Sequence, residues 1–481
     1  MSLKTRTKVA YGLGAVAQGV AVAGLSGAFL QIFLNQVMGL PAILVGTAIM
    51  VSLMADSVID PLIGRWSDKT TSRWGRRHPF MYAAAIPVAV SFWWLWNAPA
   101  GLSREGLVAF SLTFMILVRI SVSFYDIPSN ALTPELTPNY NERTTLQSYR
   151  WFFGIIAGAV LPLILTQVFL AKGLSNRAGW GQWAAIAAAV MFVSIVVSAL
   201  GTHDRIRELP IAKAPRQDSP ASPKSGAWRE VWRTLANRSL IALMLSGILG
   251  GVGGGIRNGL SLYFYSYFWG LKPNQFGLIL PASLFGSLLG VFVAPPLSRA
   301  FGKKWAMIWL FALSVFTSSA PAVLRLIGFF PANGSPWLLP ILIVEGVVTL
   351  TVAIAGFVLV SAMMADIVED AAVRSGARSE GLLYAVNGLL PKFTGGIGAF
   401  VAGLLLTLVH FPTHAAHVDP AIPRRLVILY LPINAVFTLA SIFVLALYRI
   451  DKATHERNLA TLAQAAAEGE RAHAVEQLQA G

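Results

Sequence analysis

The feature that most constrains this chain is the recurrence of apolar segments, each about 20 residues long, separated by short polar turns. Within a bilayer every backbone N–H and C=O must be satisfied internally, so only helices and closed barrels can span it. Barrel strands would read as short segments of alternating polarity, a pattern this sequence lacks. Twelve spans are therefore expected, near 9–36, 41–64, 79–97, 106–134, 145–171, 182–201, 239–269, 274–297, 305–329, 337–366, 381–410 and 425–449. Turn residues such as Asn97-Ala-Pro-Ala-Gly101 and Pro331-Ala-Asn-Gly-Ser-Pro336 punctuate them. The short basic start from Met1 to Ala10 leads into an apolar run too long for a cleavable signal, which makes it the first span.

Composition removes the alternatives. Charged residues are 12% of the chain and hydrophobic residues 55%, against about 25% charged in soluble domains, so a soluble enzyme is excluded. With no cysteine there is no disulfide framework, thiolate metal site or cysteine nucleophile. The net charge of +15 would suggest nucleic acid as the partner of a soluble protein. Here the basic residues collect in alternate loops and serve orientation, so the expected partners are the lipid bilayer, a small-molecule solute and a monovalent cation, with no nucleic acid. The chain is expected to act as a monomer.

The basic loops set the topology. Lys4, Arg6 and Lys8 precede the first span, and Arg65, Lys69, Arg73, Arg76 and Arg77 follow the second. A Pro-rich stretch from His203 to Arg238 carries eight more, and Arg299, Lys303 and Lys304 follow the eighth. All lie on one side of a twelve-span chain. That side is cytoplasmic by the positive-inside rule, so both termini are expected in the cytoplasm and the protein in the inner (plasma) membrane. The expected organisation is a six-helix bundle over 1–202, a cytoplasmic linker over 203–238, a second six-helix bundle over 239–450 and a tail over 451–481. The two halves echo each other: Pro61-Leu-Ile-Gly-Arg65 leads to Gly75-Arg-Arg77, and Pro296-Leu-Ser-Arg299 leads to Gly302-Lys-Lys304.

Ionisable residues within spans are costly and mark solute or ion paths. The notable cases are Asp56, Asp60, Arg119, Asp126, Arg257, Glu345 and Lys392. Asp56 and Asp60 are four residues apart and share a helix face. Two close carboxylates in a low dielectric share a proton or hold a cation, unless they pair structurally with Arg119. Ser123 and Asp126 share a face with Arg119 and offer oxygen ligands to a hard cation, or Arg119 neutralises Asp126. Lys392 contacts solute or neutralises a carboxylate. The glycines before Arg257 read as close helix packing, and Glu345 has no evident partner. His410, His414 and His417 near Asp419 have metal-like spacing, but Pro412 interrupts the helix and favours a wet loop. No nucleotide-binding motif or catalytic triad is present, so neither an ATP-driven pump nor an enzyme is expected, and no cofactor beyond the coupling cation.

Several of these segments resemble the glycoside–pentoside–hexuronide:cation symporters of the major facilitator superfamily, whose type member is the melibiose carrier. They are Asp56-Ser-Val-Ile-Asp60-Pro-Leu-Ile-Gly64, Ser72-Arg-Trp-Gly-Arg-Arg-His-Pro79, Tyr125-Asp126-Ile-Pro128 and Ala131-Leu-Thr-Pro-Glu-Leu136. Asn141-Glu-Arg-Thr-Thr-Leu-Gln-Ser-Tyr-Arg150 and Met364-Ala-Asp366-Ile-Val-Glu-Asp370 complete the set. The resemblance runs from the first helix to the eleventh. It implies an all-α membrane protein with the major facilitator fold, twelve transmembrane helices in two six-helix bundles, and alternating-access symport of a glycoside or related small polar solute with a proton or sodium ion. It implies a cation site at Asp56, Asp60, Ser123 and Asp126, and a solute site at Gln18, Asp126, Asn130, Arg150 and Lys392. It also implies a cytoplasmic gating motif at Asp68, Arg76, Arg77, Asp366 and Glu369.

The chain departs from the family pattern at three places. Ile59 stands where a cation-site Asn is usual, which favours the proton. Gln18-Gly19 stands for a Lys-Asp pair, and Asn130 for a Trp that stacks on the sugar. Melibiose is therefore expected to be a poor solute. The glycine at 19 is expected to leave space for a bulkier or less polar solute, and with the apolar first helix it would also suit an amphiphile such as a lysolipid. A non-transporting receptor or scaffold is the remaining alternative, disfavoured because nothing in it would offset the desolvation of the buried acids.

Overall fold

The computed structural model of the chain describes residues 3–208, 238–375, 380–414 and 418–450, with 454, 456–458, 461 and 464. Most of the expected linker, most of the tail and His417 lie outside the described residues. Among those described there is no strand. The spans are α1 (Thr5–Gly24 continued by Gly27–Val37), α2 (Ala42–Lys69), α3 (His78–Trp96), α4 (Arg104–Ala131), α5 (Asn141–Phe169) and α6 (Arg177–His203). Next come α7 (Arg238–Phe268) and one continuous run, Pro273–Leu326. After these come Leu338–Ser375, Glu380–Leu408 and Ala421–Ala446.

The run Pro273–Leu326 would be about 80 Å long as one straight helix, far more than a bilayer crossing. It is not straight: at Gly302 the backbone turns to φ 74° and ψ 156°, a conformation that glycine adopts without a Cβ clash. The arms 273–301 (α8) and 303–326 (α9) correspond to the eighth and ninth expected spans. With Leu338–Ser375 as α10, Glu380–Leu408 as α11 and Ala421–Ala446 as α12, the described residues form twelve helical spans, the number anticipated from hydropathy. The echo between halves is structural too, since Gly75 has φ 82° at the matching place. Hereafter the face carrying the start of α1 and the end of α12 is the terminal face, and the other the opposite face.

One span differs from its expected course. α1 bends by 47° because Ser26 is extended (φ −61°, ψ 147°) between the helical segments. A break at membrane depth leaves backbone groups without helical partners, and these must be met by neighbours. Here the Ala28 N–H donates to the Asn258 side chain of α7, at 3.2 Å, across the boundary between the halves. α1 and α7, which hold equivalent places in the two halves, both end in a π-helical turn, at Phe33–Val37 and Phe264–Phe268.

Backbone-to-backbone contact positions the site helices. A Cβ on Gly398 of α11 would stand 2.5 Å from Gly255 Cα of α7, so these helices touch only because both residues lack one. The glycine run before Arg257 thus serves packing, as its sequence suggested. Near the opposite face, Trp96 and Trp180 stack at 5.2 Å with rings 2° from parallel, and Phe33 packs against both.

Candidate functional site

Two charged clusters and one large cavity occupy the interior. The first cluster joins the two halves. Asp56 and Asp60 lie on one face of α2, as their spacing requires, and Lys392 of α11 reaches both: its ammonium is 2.8 Å from Asp56 and donates to Asp60. Ser123 of α4 donates to Asp60 at 2.7 Å, with Asp56 at 3.4 Å. Arg119, one turn earlier on α4, stands 3.8 Å from Asp56 and donates to Ser52 at 3.2 Å. Two carboxylates face two cations, so the set is formally neutral. The ammonium sits between the two acids.

The second cluster lies on the cavity wall. Arg150 of α5 pairs with Asp126 at 2.5 Å and donates to Ser129 at 2.7 Å. Its guanidinium lies 5.2 Å from the ring centroid of Tyr11, whose hydroxyl is held by Thr133 at 2.6 Å. Asn130, one turn along from Asp126, donates to it at 3.1 Å. Arg150 and Asn130 both donate to the Asp126 carboxylate and so fix its orientation, and the acceptors Asp126 and Ser129 fix the planar guanidinium.

The cavity holds about 850 Å³. Gln18, Asp126, Asn130, Gln147 and Arg150 line it from the first half, and Asn258, Ser261 and Tyr265 from the second. Apart from Ser26, Thr166 and Ser283, the rest of its wall is apolar and includes Val22, Phe29, Trp151 and Ile155. Sites of this size, largely apolar with a few convergent polar groups, take small organic molecules.

The opposite-face end of the cavity is closed by hydrogen bonds between halves. The Tyr263 hydroxyl meets the Gln31 carbonyl at 3.1 Å and Asn35 at 2.9 Å, Tyr267 donates to Gln36 at 3.2 Å, and Gln36 donates to the Pro412 carbonyl at 2.8 Å. At the terminal face each half has its own ion pairs. Arg77 meets Asp68 at 2.6 Å and Glu135 at 3.3 Å, and Arg76 meets Glu135 at 3.0 Å. In the second half Lys303 meets Asp366 at 2.6 Å. The two repeated basic motifs therefore do matching work, each clamping a loop to an acidic residue of a neighbouring segment.

This geometry has counterparts among known proteins. The profile of the family described as MFS/sugar transport protein matches residues 10–452. The chain belongs to this family. It is a multi-span membrane transporter with the major facilitator fold, and not an enzyme. It is similar to an uncharacterized symporter of Synechocystis sp., 26% identical over 93% of this chain and 95% of the relative. It is also similar to the isoprimeverose transporter of Lactiplantibacillus pentosus, 26% identical over 88% and 84%, and to the inner membrane symporter YicJ of Escherichia coli, 25% identical over 98% and 96%. Among solved structures it shares its fold with the nucleoside transporter NupG, with a TM-score of 0.63 at 14% identity over 92% of this chain and 99% of that one. It likewise resembles the inward-open xylose transporter XylE of E. coli, with a TM-score of 0.59 at 16% identity over 94% and 98%.

Within this member of the MFS/sugar transport family, the expected site residues divide between two places. Asp56, Asp60 and Ser123 come together, and Gln18, Asp126, Asn130 and Arg150 share the cavity. Lys392, expected at the solute or at a carboxylate, sits at the acid pair and off the cavity wall. Asp126, also expected among the cation ligands, is taken by Arg150. Arg119 belongs to Asp56 and not to Asp126, because one helical turn carries it to the level of Ser52.

Gly19 lines the cavity, but a Cβ there would stand 2.0 Å from the Gly154 carbonyl oxygen. It permits contact between α1 and α5 and does not open space for a bulkier solute. Asp68, Arg76, Arg77 and Asp366 form the terminal-face pairs, with Glu369 one turn beyond Asp366 on α10. No group of three metal-ligating side chains lies close together among the described residues. Sequence reasoning missed Gln147, Asn258, Ser261 and Tyr265. A polar residue directly after Arg257 in an apolar span was the available signal for Asn258.

Proposed function

We propose that this protein is a cation-coupled symporter of a glycoside or related small polar solute, with Asp56 and Asp60 as the cation site and the Asp126–Arg150 pair as the solute anchor. The observation that carries the reading is the position of Lys392. An ammonium from the second half closes the acid pair of the first, so the site is neutral without any transported cation. A proton or sodium ion that enters must take over from Lys392, and the tie between the halves then changes. Solute binding beside the same helices, through Asp126 on the α4 that also carries Ser123, favours the same rearrangement. Coupling follows because either ligand alone leaves the other cluster in its resting arrangement.

The proton is the favoured cation, since Ile59 supplies no oxygen and the acids with Ser123 offer few ligands for sodium. The two bundles are 1–202 and 239–450, joined by the linker 203–238 and followed by the tail 451–481. The basic terminal face lies on the cytoplasmic side of the inner membrane, so the closed opposite face is the external one. The names of similar proteins support a sugar-type solute and a coupling cation.

One observation favours an amphiphile as a second reading: the apolar cavity wall runs out to Val22 and Trp151, 63% and 69% exposed, on the side where α1 and α5 meet the surroundings. Uptake into proteoliposomes of glycosides, uronides and lysolipids, each under a proton or a sodium gradient, separates the readings. Gradient-driven glycoside accumulation that is lost in Asp60→Asn supports the proposal. Accumulation of lysolipid alone overturns its solute, and solute movement indifferent to both gradients overturns its coupling.

A further inference from the structure

Two of the intramembrane charged residues singled out from the sequence remain outside the clusters above. Arg257 on α7 and Glu345 on α10 line a small cavity of about 80 Å³ together with Tyr430 of α12. Ser261 and Tyr265 line this cavity and the large one alike, so the two cavities adjoin across these side chains, and a solute reaches the small one if they turn aside. Its polar groups are incompletely used. Tyr430 is 3% exposed and its hydroxyl has no hydrogen-bond partner. Arg257 makes no ion pair within 4 Å among the described residues, and Glu345 accepts from Thr349 at 2.8 Å through one oxygen only. Intramembrane charge and an unpartnered buried hydroxyl are costly, and they persist where a ligand completes them.

We infer that Arg257, Glu345 and Tyr430 form a second solute subsite that receives a terminal pair of hydroxyls from a neutral glycoside of more than one ring. The inference rests on the proposed glycoside function. Neighbouring sugar hydroxyls each donate and accept, and the chamber presents a carboxylate acceptor, a guanidinium donor and a phenol that does both. A carboxylate on the solute would face Glu345, and an ammonium would face Arg257, so a neutral end fits. A chamber of this size holds two or three waters' worth of space, which is the edge of a ring and not a whole one. The rest of the solute then lies in the larger cavity, with its other end at Asp126 and Arg150. A single ring anchored there leaves the chamber unsatisfied; a two-ring solute fills both.

The test measures inhibition constants, in proteoliposomes, for methyl glycosides of glucose, galactose and xylose and for a panel of neutral disaccharides. The unaltered protein, Tyr430→Phe, Glu345→Gln and Arg257→Gln are compared, and their melting curves in detergent show whether each is folded. The expected result is a preference for disaccharides whose ratio to the one-ring glycosides falls about tenfold in Glu345→Gln and Arg257→Gln and several-fold in Tyr430→Phe. Tyr430→Phe removes one hydroxyl without changing shape, so it carries the test if the charge variants do not fold. An unchanged ratio in folded variants overturns the inference while leaving glycoside transport intact, as does an equal fall for both lengths. So does loss of cation stimulation in Glu345→Gln with the ratio preserved, which would make Glu345 a proton carrier. If the unaltered protein binds no glycoside of either length, the proposed function fails and the subsite with it.

Discussion

Replacing Lys392 with Gln tests whether that lysine competes with the transported cation. With Lys392 present, Asp56, Asp60, Arg119 and Lys392 sum to zero formal charge; without it the set carries −1. Removing one partner from a fully buried pair costs about 3–5 kcal/mol. The Lys392 and Asp60 side chains are 26% and 28% exposed, and solvent screening reduces the effect to about 1.5–3 kcal/mol. If the lysine must be displaced for a cation to bind, that energy is returned to the cation when the lysine is gone. The half-saturating cation concentration for solute binding should then fall by roughly tenfold to a hundredfold. Net accumulation should fall as well, since a tightly held cation is released slowly, while exchange of labelled for unlabelled solute continues. The assay is a cation titration of solute binding in proteoliposomes, paired with uptake and exchange. An unchanged half-saturating concentration would refute the competition, and a raised one would show that the ammonium instead holds the acids in their binding geometry.

Arg150→Ala should weaken solute binding by about tenfold or more and lower the melting temperature, because it leaves Asp126 and Ser129 without their shared donor in a wall where Arg150 is nearly buried; binding isotherms and melting curves in detergent check both. Gly398→Val should destabilise the folded protein by about 1–3 kcal/mol, since the new side chain meets the Gly255 backbone and α7 and α11 must part. A melting temperature equal to that of the unaltered protein would show that this contact is looser than described. Reporter fusions at Ala212 and after Gly481 should both report the cytoplasm, and an external signal from either would overturn the helix count.

The fold was legible because its cause is the solvent. Span length follows from bilayer thickness, so the apolar runs at α2 to α7 could be read directly from the chain, and the echo between Gly75-Arg-Arg77 and Gly302-Lys-Lys304 could be read as a repeat. The break in α1 could not, because Ser26 between two glycines is unremarkable until Asn258, from the other half, is placed opposite Ala28. The same distinction runs through the site. Asp56 and Asp60 meet because four residues make about one helical turn, and Asp126 meets Asn130 for the same reason. Lys392 lies 332 positions from Asp60, and no periodicity links them; only its cost at membrane depth marked it out. Periodicity also misled: Arg119 shares a face with Asp126, yet it turns to Asp56, because the neighbouring helix brings a carboxylate nearer than its own helix does. Gly19 was misread for a related reason, since an absent side chain shows in sequence as room, while in the fold a second backbone has taken that room.

The closure at the opposite face includes tyrosine hydroxyls set against amides and a carbonyl of α1, with Gln36 reaching on to Pro412, beside apolar side chains of both halves such as Leu34 and Phe411. Opening it does not strip the polar groups bare, because each one exchanges a protein partner for water as the vestibule floods. Such an exchange is nearly balanced, with a net difference of about 0.5–1.5 kcal/mol per bond, whereas parting an equal area of interlocked apolar side chains would expose them to water with nothing in return. The polar share of such a gate holds by the geometry of its partners more than by the depth of its energy well, and can be tipped in either direction by the modest differences in ligand binding that a carrier has at its disposal.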